Sequence, residues 1–167
     1  DVYKRQVQPG ETPFPFTDVP ESRWSYPYIK ELYDAGVVSG MTATTFAPAE
    51  NMTRAQFVTM LAELQGADVS AYKTGKFTDV PADAWYAPYV SWAAENGIVH
   101  GVSDTAFAPD ADISRQDMAV MVYRYAECFG IRLGTDVPPV TFTDAGDIAA
   151  YALSLIHISE PTRLRRI

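Results

Sequence analysis

The sequence predicts a mainly α chain built as tandem helix–loop–helix repeats. Two observations carry this. Laid over each other without a gap, residues 16–66 and 77–127 agree at 17 of 51 positions, where chance would give roughly three. Within each copy, apolar residues recur at helical spacing between a capping residue and a glycine stop.

Residues 7–15 hold three prolines and read as an extended linker. The first copy opens at Phe16 with a turn, Thr17-Asp18-Val19-Pro20, in which Asp18 can bond the backbone ahead of it. A helix is predicted from about Pro27, a residue suited to a first helical turn, to Ala35, with Tyr28, Ile29, Leu32 and Tyr33 as its apolar face and Gly36 as its stop. A short link, Val37-Val38-Ser39-Gly40, and a loop through Phe46 and Pro48 lead to a second helix opening at Thr53. There Phe57, Val58, Leu61 and Leu64 recur at helical spacing and Gly66 ends the run. Residues 67–76 read as a connection. The second copy, 77–130, follows the same plan, with helices near Pro88–Asn96 and Arg115–Phe129, and Tyr125 as a packing residue. A proline-bearing spacer at 131–141 precedes a third, broken-off copy at 142–152, where Asp147–Ala152 reads as the start of another helix.

The opening turn of each second helix is the stretch with most chemistry. Thr53 is a good N-cap and Gln56, three residues on, completes a capping-box pattern; Ser114 and Asp117 repeat it. A helix N-terminus offers unpaired N–H groups and the positive end of the dipole. Arg54 and Arg115, each at the first helical position, add a planar, permanently charged donor. Such a tip favours a carboxylate or phosphate; the alternative is simply a well-capped helix with a surface arginine. Trp24 and Trp85 stand at matched positions before the first helix of each copy. They read either as core plugs under the loop or as flat aromatic faces for a sugar ring.

Phe16-Thr17-Asp18-Val19-Pro20, then Trp24, an aromatic helix, Gly36-Val37-Val38-Ser39-Gly40, Phe46-Ala47-Pro48 and Thr53-Arg54-Ala55-Gln56 resemble the S-layer homology (SLH) module. The resemblance covers 16–66 and 77–129 in full and 142–152 as a stub. Its Thr-Arg-Ala-Glu signature is Thr53-Arg54-Ala55-Gln56 in the first copy; the second, Ser114-Arg115-Gln116-Asp117, keeps the arginine and the capping chemistry. The resemblance implies an incomplete pseudo-threefold arrangement and a secreted module of the cell wall or S-layer. It implies non-catalytic binding of an acidic, pyruvylated secondary cell-wall polysaccharide. The ligand-binding residues it points to are Arg54, Arg115, Thr53, Gln56, Ser114, Asp117, Trp24 and Trp85. Two other classes stay open: a lattice protein whose repeats assemble with one another, and the targeting part of an envelope-bound enzyme.

Residues 1–6 match the translation of a transposon-end sequencing adapter and 153–163 that of its complement, with 164–167 as translated index bases; 1–6 and 153–167 are set aside as one sets aside a fusion scar. The remaining 7–152 is expected to be a fragment, with association through the missing third repeat. That absence is expected to expose Phe57, Leu61, Met118 and Val122. Without the two ends, 8 basic and 19 acidic residues give a net charge of −11. A field of that sign disfavours nucleic acid. No apolar run is long enough to span a membrane. Cys128 follows Met118, Val122 and Tyr125 on an apolar face and reads as a buried free thiol. His100 has no partner at metal-ligand spacing, Asp104, Asp110 and Asp112 lack the ordered calcium-loop pattern, and no cofactor or catalytic fingerprint is present.

Overall fold

A computed structural model describes residues 14–72, 75–133 and 142–152. Among the described residues four α-helices are bounded at both ends, in order α1 Tyr26–Asp34, α2 Arg54–Gln65, α3 Ala87–Glu95 and α4 Arg115–Cys128. The third copy supplies a 3-10 turn, Ala145–Asp147, and helical residues at 150–152. Among the described residues the β content is one isolated bridge, Thr53 to Asp112. The expected pattern is therefore met in the two full copies, with α1 and α3 each starting one residue earlier than the prolines suggest; in the third copy the helix expected from Asp147 begins only at 150, because Asp147 closes the 3-10 turn and Ile148 is extended. Residues 1–13, 134–141 and 153–167, which hold both adapter segments, lie outside the described residues.

Each copy is tied together by one aspartate. Asp18 accepts the backbone N–H groups of Phe46 (2.9 Å) and Ala47 (2.7 Å). Asp79 does the same for Phe107 (2.9 Å) and Ala108 (2.7 Å). This clamp fixes the Phe-Ala-Pro loop while its middle residue sits in the left-handed region, Ala47 at φ 61° and Ala108 at φ 56°. An alanine there is strained by roughly 1–2 kcal/mol, which the charge-assisted bonds offset. Gly101 completes the second loop at φ 88°; a Cβ would lie 2.5 Å from the Ala106 carbonyl and 2.6 Å from the Phe77 ring.

The main core lies between the copies rather than inside them. Phe57, Val58 and Leu61 of α2 pack with Val90, Trp92 and Ala93 of α3, and with Ile98, Phe107, Met121 and Tyr125. The first half of copy one has only a small aromatic cluster of its own: Phe16, Val19 and Ile29, with Tyr26, Tyr33 and Phe46 around them. A single unit is too small to bury both its helices, so α2 is buried by the copy that follows.

This arrangement corrects several expectations. Phe57 and Leu61 are buried, because copy two covers them; of the four residues expected at the surface Val122 is exposed and Met118 half-buried. Tyr28 and Leu64 point outward despite their helical spacing. Trp24 (78 % exposed) and Trp85 (60 %) are not core plugs. Cys128 is exposed, since it closes α4 beyond the packed face.

The Asp clamps carry a pH dependence. The backbone N–H of Phe46 leads in holding the Asp18 carboxyl below its ordinary value. At Asp79 burial pushes upward, but the N–H groups of Phe107 and Ala108 outweigh it and the net shift is also downward. A depressed carboxyl stabilises the fold above its unfolded value, and that stability is lost as pH falls through the depressed one. Melting temperature is expected to drop between about pH 5 and about pH 2. Asp79→Asn is expected to melt lower at neutral pH and to lose less on acidification. Parallel melting curves of the two proteins check this.

Candidate functional site: the junction of α2 with the second repeat

The tip of α2 is capped as its sequence indicates. Gln56 N–H donates to Thr53 Oγ1 (3.3 Å), and the Thr53 N–H donates to Gln56 Oε1 (2.9 Å). The remaining amides are not open to a ligand. Arg54 N–H donates to the Ala111 carbonyl (2.9 Å) and Ala55 N–H to the Pro109 carbonyl (3.0 Å). The loop's return contact is Ile113 N–H to the Met52 carbonyl (2.9 Å), with Asn51 Nδ2 on Asp112 Oδ2 (2.8 Å) beside it. The helix end that looks like an anion seat is filled by backbone carbonyls of the next copy.

Arg54 follows the same logic. The residue is 5 % exposed; Nε donates to the Phe107 carbonyl at 2.9 Å, and one terminal nitrogen reaches Asp117 Oδ2 at 3.2 Å. The guanidinium carbon lies 5.0 Å from the centre of the Phe107 ring. Asp117 receives a second bond, from the Tyr151 hydroxyl of the third copy (2.8 Å to Oδ1). In α4 only half the capping box forms: Asp117 N–H donates to Ser114 Oγ (3.2 Å), and the carboxylate faces Arg54 instead of the Ser114 backbone. The matched arginine, Arg115, is exposed and makes no hydrogen bond or ion pair among the described residues.

Beside the Arg54–Asp117 pair opens a cleft of about 360 Å³. Its polar lining is Arg54, His100, Asp117, Arg124 and Tyr151, and its apolar lining includes Val102 and Met121. Arg124 is half-buried; burial lowers its pKa, against the opposing pull of Glu127 and Tyr151. Burial, then the positive charges of Arg124 and Lys76, hold His100 below its ordinary value, so it is neutral at pH 7. Two guanidinium groups and a neutral imidazole thus converge in a chain whose overall charge is −8. Among the described residues no three His, Cys, Asp or Glu side chains gather to hold a metal, and no helix is long and apolar enough to cross a membrane.

Of the residues singled out in the sequence, the fold brings Arg54 and Asp117 to this cleft. Thr53 and Gln56 support α2 behind it, while Ser114, Arg115, Trp24 and Trp85 lie on the surface outside it. Sequence reasoning missed His100, Arg124 and Tyr151 as lining. The available signal for Arg124 was its spacing, seven residues after Asp117 and so on the same helical face.

The S-layer homology domain model matches residues 15–58 and 76–119. The chain belongs to the S-layer homology family, a family of cell-surface anchoring modules. It is 38 % identical over 139 residues to an endoglucanase of Bacillus sp. (strain KSM-635), a match spanning 83 % of the chain and 14 % of that enzyme. It is 33 % identical over 131 residues to the surface-layer 125 kDa protein of Lysinibacillus sphaericus, spanning 78 % of the chain and 10 % of that protein. To a cellulosome-anchoring protein of Acetivibrio thermocellus it is 32 % identical over 127 residues, 74 % of the chain and 27 % of the relative. The chain therefore spans about a quarter or less of these relatives.

The two capped arginines are expected to behave differently. Arg54→Ala should cost about 1.5–3 kcal/mol of stability, because it removes charged hydrogen bonds and orphans a buried carbonyl. Arg115→Ala should stay within about 0.5 kcal/mol. Thr53→Ala should cost about 1 kcal/mol. Denaturant unfolding of the three variants checks the order.

Proposed function

We propose that the chain is a non-catalytic anchor that binds an acidic secondary cell-wall polysaccharide, pyruvylated on its sugars, in the α4 cleft, and that it works outside the cell. The observation that carries this reading is the convergence of Arg54, His100 and Arg124 beside apolar side chains in an otherwise acidic molecule. A pyruvate ketal presents a carboxylate next to a methyl group on a sugar ring. The cleft offers guanidinium donors for the first, and Met121 and Val102 for the apolar parts. Arg54 and Asp117 are proposed as its wall, with Thr53 and Gln56 holding that wall in place. Ser114, Arg115 and the exposed indoles of Trp24 and Trp85 are proposed as outlying contacts along the polymer.

The reading as the anchoring part of a larger surface protein, an enzyme included, is supported by relatives of which the chain matches only a small part. A second reading, assembly with a further repeat, draws on the tip of α4. Among the described residues that tip has no counterpart of the carbonyl loop that fills the tip of α2.

Pelleting with purified cell-wall sacculi separates these readings. The chain is expected to sediment with intact sacculi and to remain in solution once the secondary polysaccharide has been stripped by acid. Equal sedimentation with both would overturn the polysaccharide reading.

A further inference from the structure

We propose that Arg124 is the residue that reads the ligand's acidic group, and that the chain has one such reader because the first repeat carries Glu63 at the matching position. The proposal rests on the polysaccharide reading above and names the charge that reading needs.

Arg54 is poorly placed for the task, although it is the signature arginine. Its guanidinium is nearly covered, bonded to the Phe107 carbonyl and to Asp117, and stacked on the Phe107 ring. A ligand carboxylate there would compete with Asp117, a group of the same charge and the same chemistry. Such an exchange desolvates the incoming anion and leaves Asp117 without its cation, so it gains little.

Arg124 lines the same cleft from the next turns of α4 and is half-buried. It makes no hydrogen bond or ion pair among the described residues. Glu127, the acid nearest along its helix, accepts the Tyr123 hydroxyl at 2.8 Å instead. Among the described residues the guanidinium is thus partly stripped of water with no acceptor on its donors, a state that a carboxylate relieves through two parallel bonds. Its desolvation is also what lowers its pKa. Met121, one turn earlier on α4, and Val102, 60 % exposed on the facing loop, give the adjoining methyl and sugar faces an apolar seat.

The 61-residue repeat offset supplies the comparison within the molecule. Arg124 corresponds to Glu63, His100 to Ser39 and Asp117 to Gln56. Glu63 is exposed and accepts the Tyr89 hydroxyl at 2.8 Å. The equivalent face of copy one therefore presents an anion where copy two presents a cation, and repels the ligand that copy two attracts.

The test is a titration with a methyl hexopyranoside carrying a 4,6-pyruvate ketal and, in parallel, its neutral methyl ester. The chain is expected to bind the acid at least tenfold more tightly than the ester, at one site per chain. Arg124→Gln should bind acid and ester alike while melting with the wild type; Arg124→Lys should keep part of the preference. Glu63→Gln should leave the preference unchanged. An acid-over-ester preference that survives in Arg124→Gln, or two equal sites per chain, overturns the proposal and leaves the polysaccharide reading standing. A wild-type chain that does not distinguish acid from ester overturns both.

Discussion

Everything in this molecule hangs on the guanidinium of Arg54, which crosses from one repeat into the next. It donates to the Phe107 carbonyl, pairs with Asp117 and lies against the Phe107 ring. Taking that charge out of water would be unfavourable on its own, by several kcal/mol. The three contacts, and an Asp117 side chain still 27 % exposed, place the pair at the rim of the core rather than deep inside it. The planar fork suits this geometry because Nε and a terminal nitrogen point at different acceptors. Once Arg54 is seated, the tip of α2 is held against carbonyls 109 and 111, and Phe57, Val58 and Leu61 are carried into the joint core.

The loop that receives Arg54 is prepared locally. Asp79 pulls in the N–H groups of Phe107 and Ala108, which frees the Phe107 carbonyl to face the arginine. The same clamp stands in copy one, where Asp18 holds Phe46 and Ala47. Each repeat therefore carries both a prepared loop and a capped arginine, and the joint forms between the arginine of one and the loop of the next. Directionality of this kind explains why the larger core falls at the junction, and why α1 keeps only its small aromatic cluster.

The sequence made the helices, the caps and the repeat legible because they depend on near neighbours: Thr53 with Gln56, Gly66 after Gln65, and apolar residues one turn apart. It did not reveal what meets the cap. An arginine at the first helical position looks the same whether water, a ligand or another repeat lies ahead of it. The 61-residue spacing between Asn51 and Asp112, which touch, was visible only as a repeat length. For Trp24 and Trp85 the sequence left a core plug and an outward aromatic face both open, and only the folded structure shows that they face outward. Arg124 and Tyr151 were hidden because the cleft draws its lining from all three copies: Arg54 of the first, the 99–102 loop and α4 of the second, and Tyr151 of the third.

Repetition also explains how two sites of one descent acquire different chemistry. The positions that build the joint are kept in both copies: the clamp aspartates 18 and 79, the Phe-Ala-Pro loops and the arginines 54 and 115. The positions that face the cleft differ, at 39 and 100, at 56 and 117, and at 63 and 124. A change at the joint disturbs a core shared by two repeats; in the lining, position 117 also bears on the joint through its ion pair with Arg54, whereas a change at 100 or 124 alters what the cleft attracts. In a chain this acidic, long-range attraction for an anion is absent, so binding must come from groups that act at contact distance. A half-buried guanidinium meets that requirement better than an exposed one. Its charge is screened less by solvent, and the surrounding side chains fix the direction from which a carboxylate approaches.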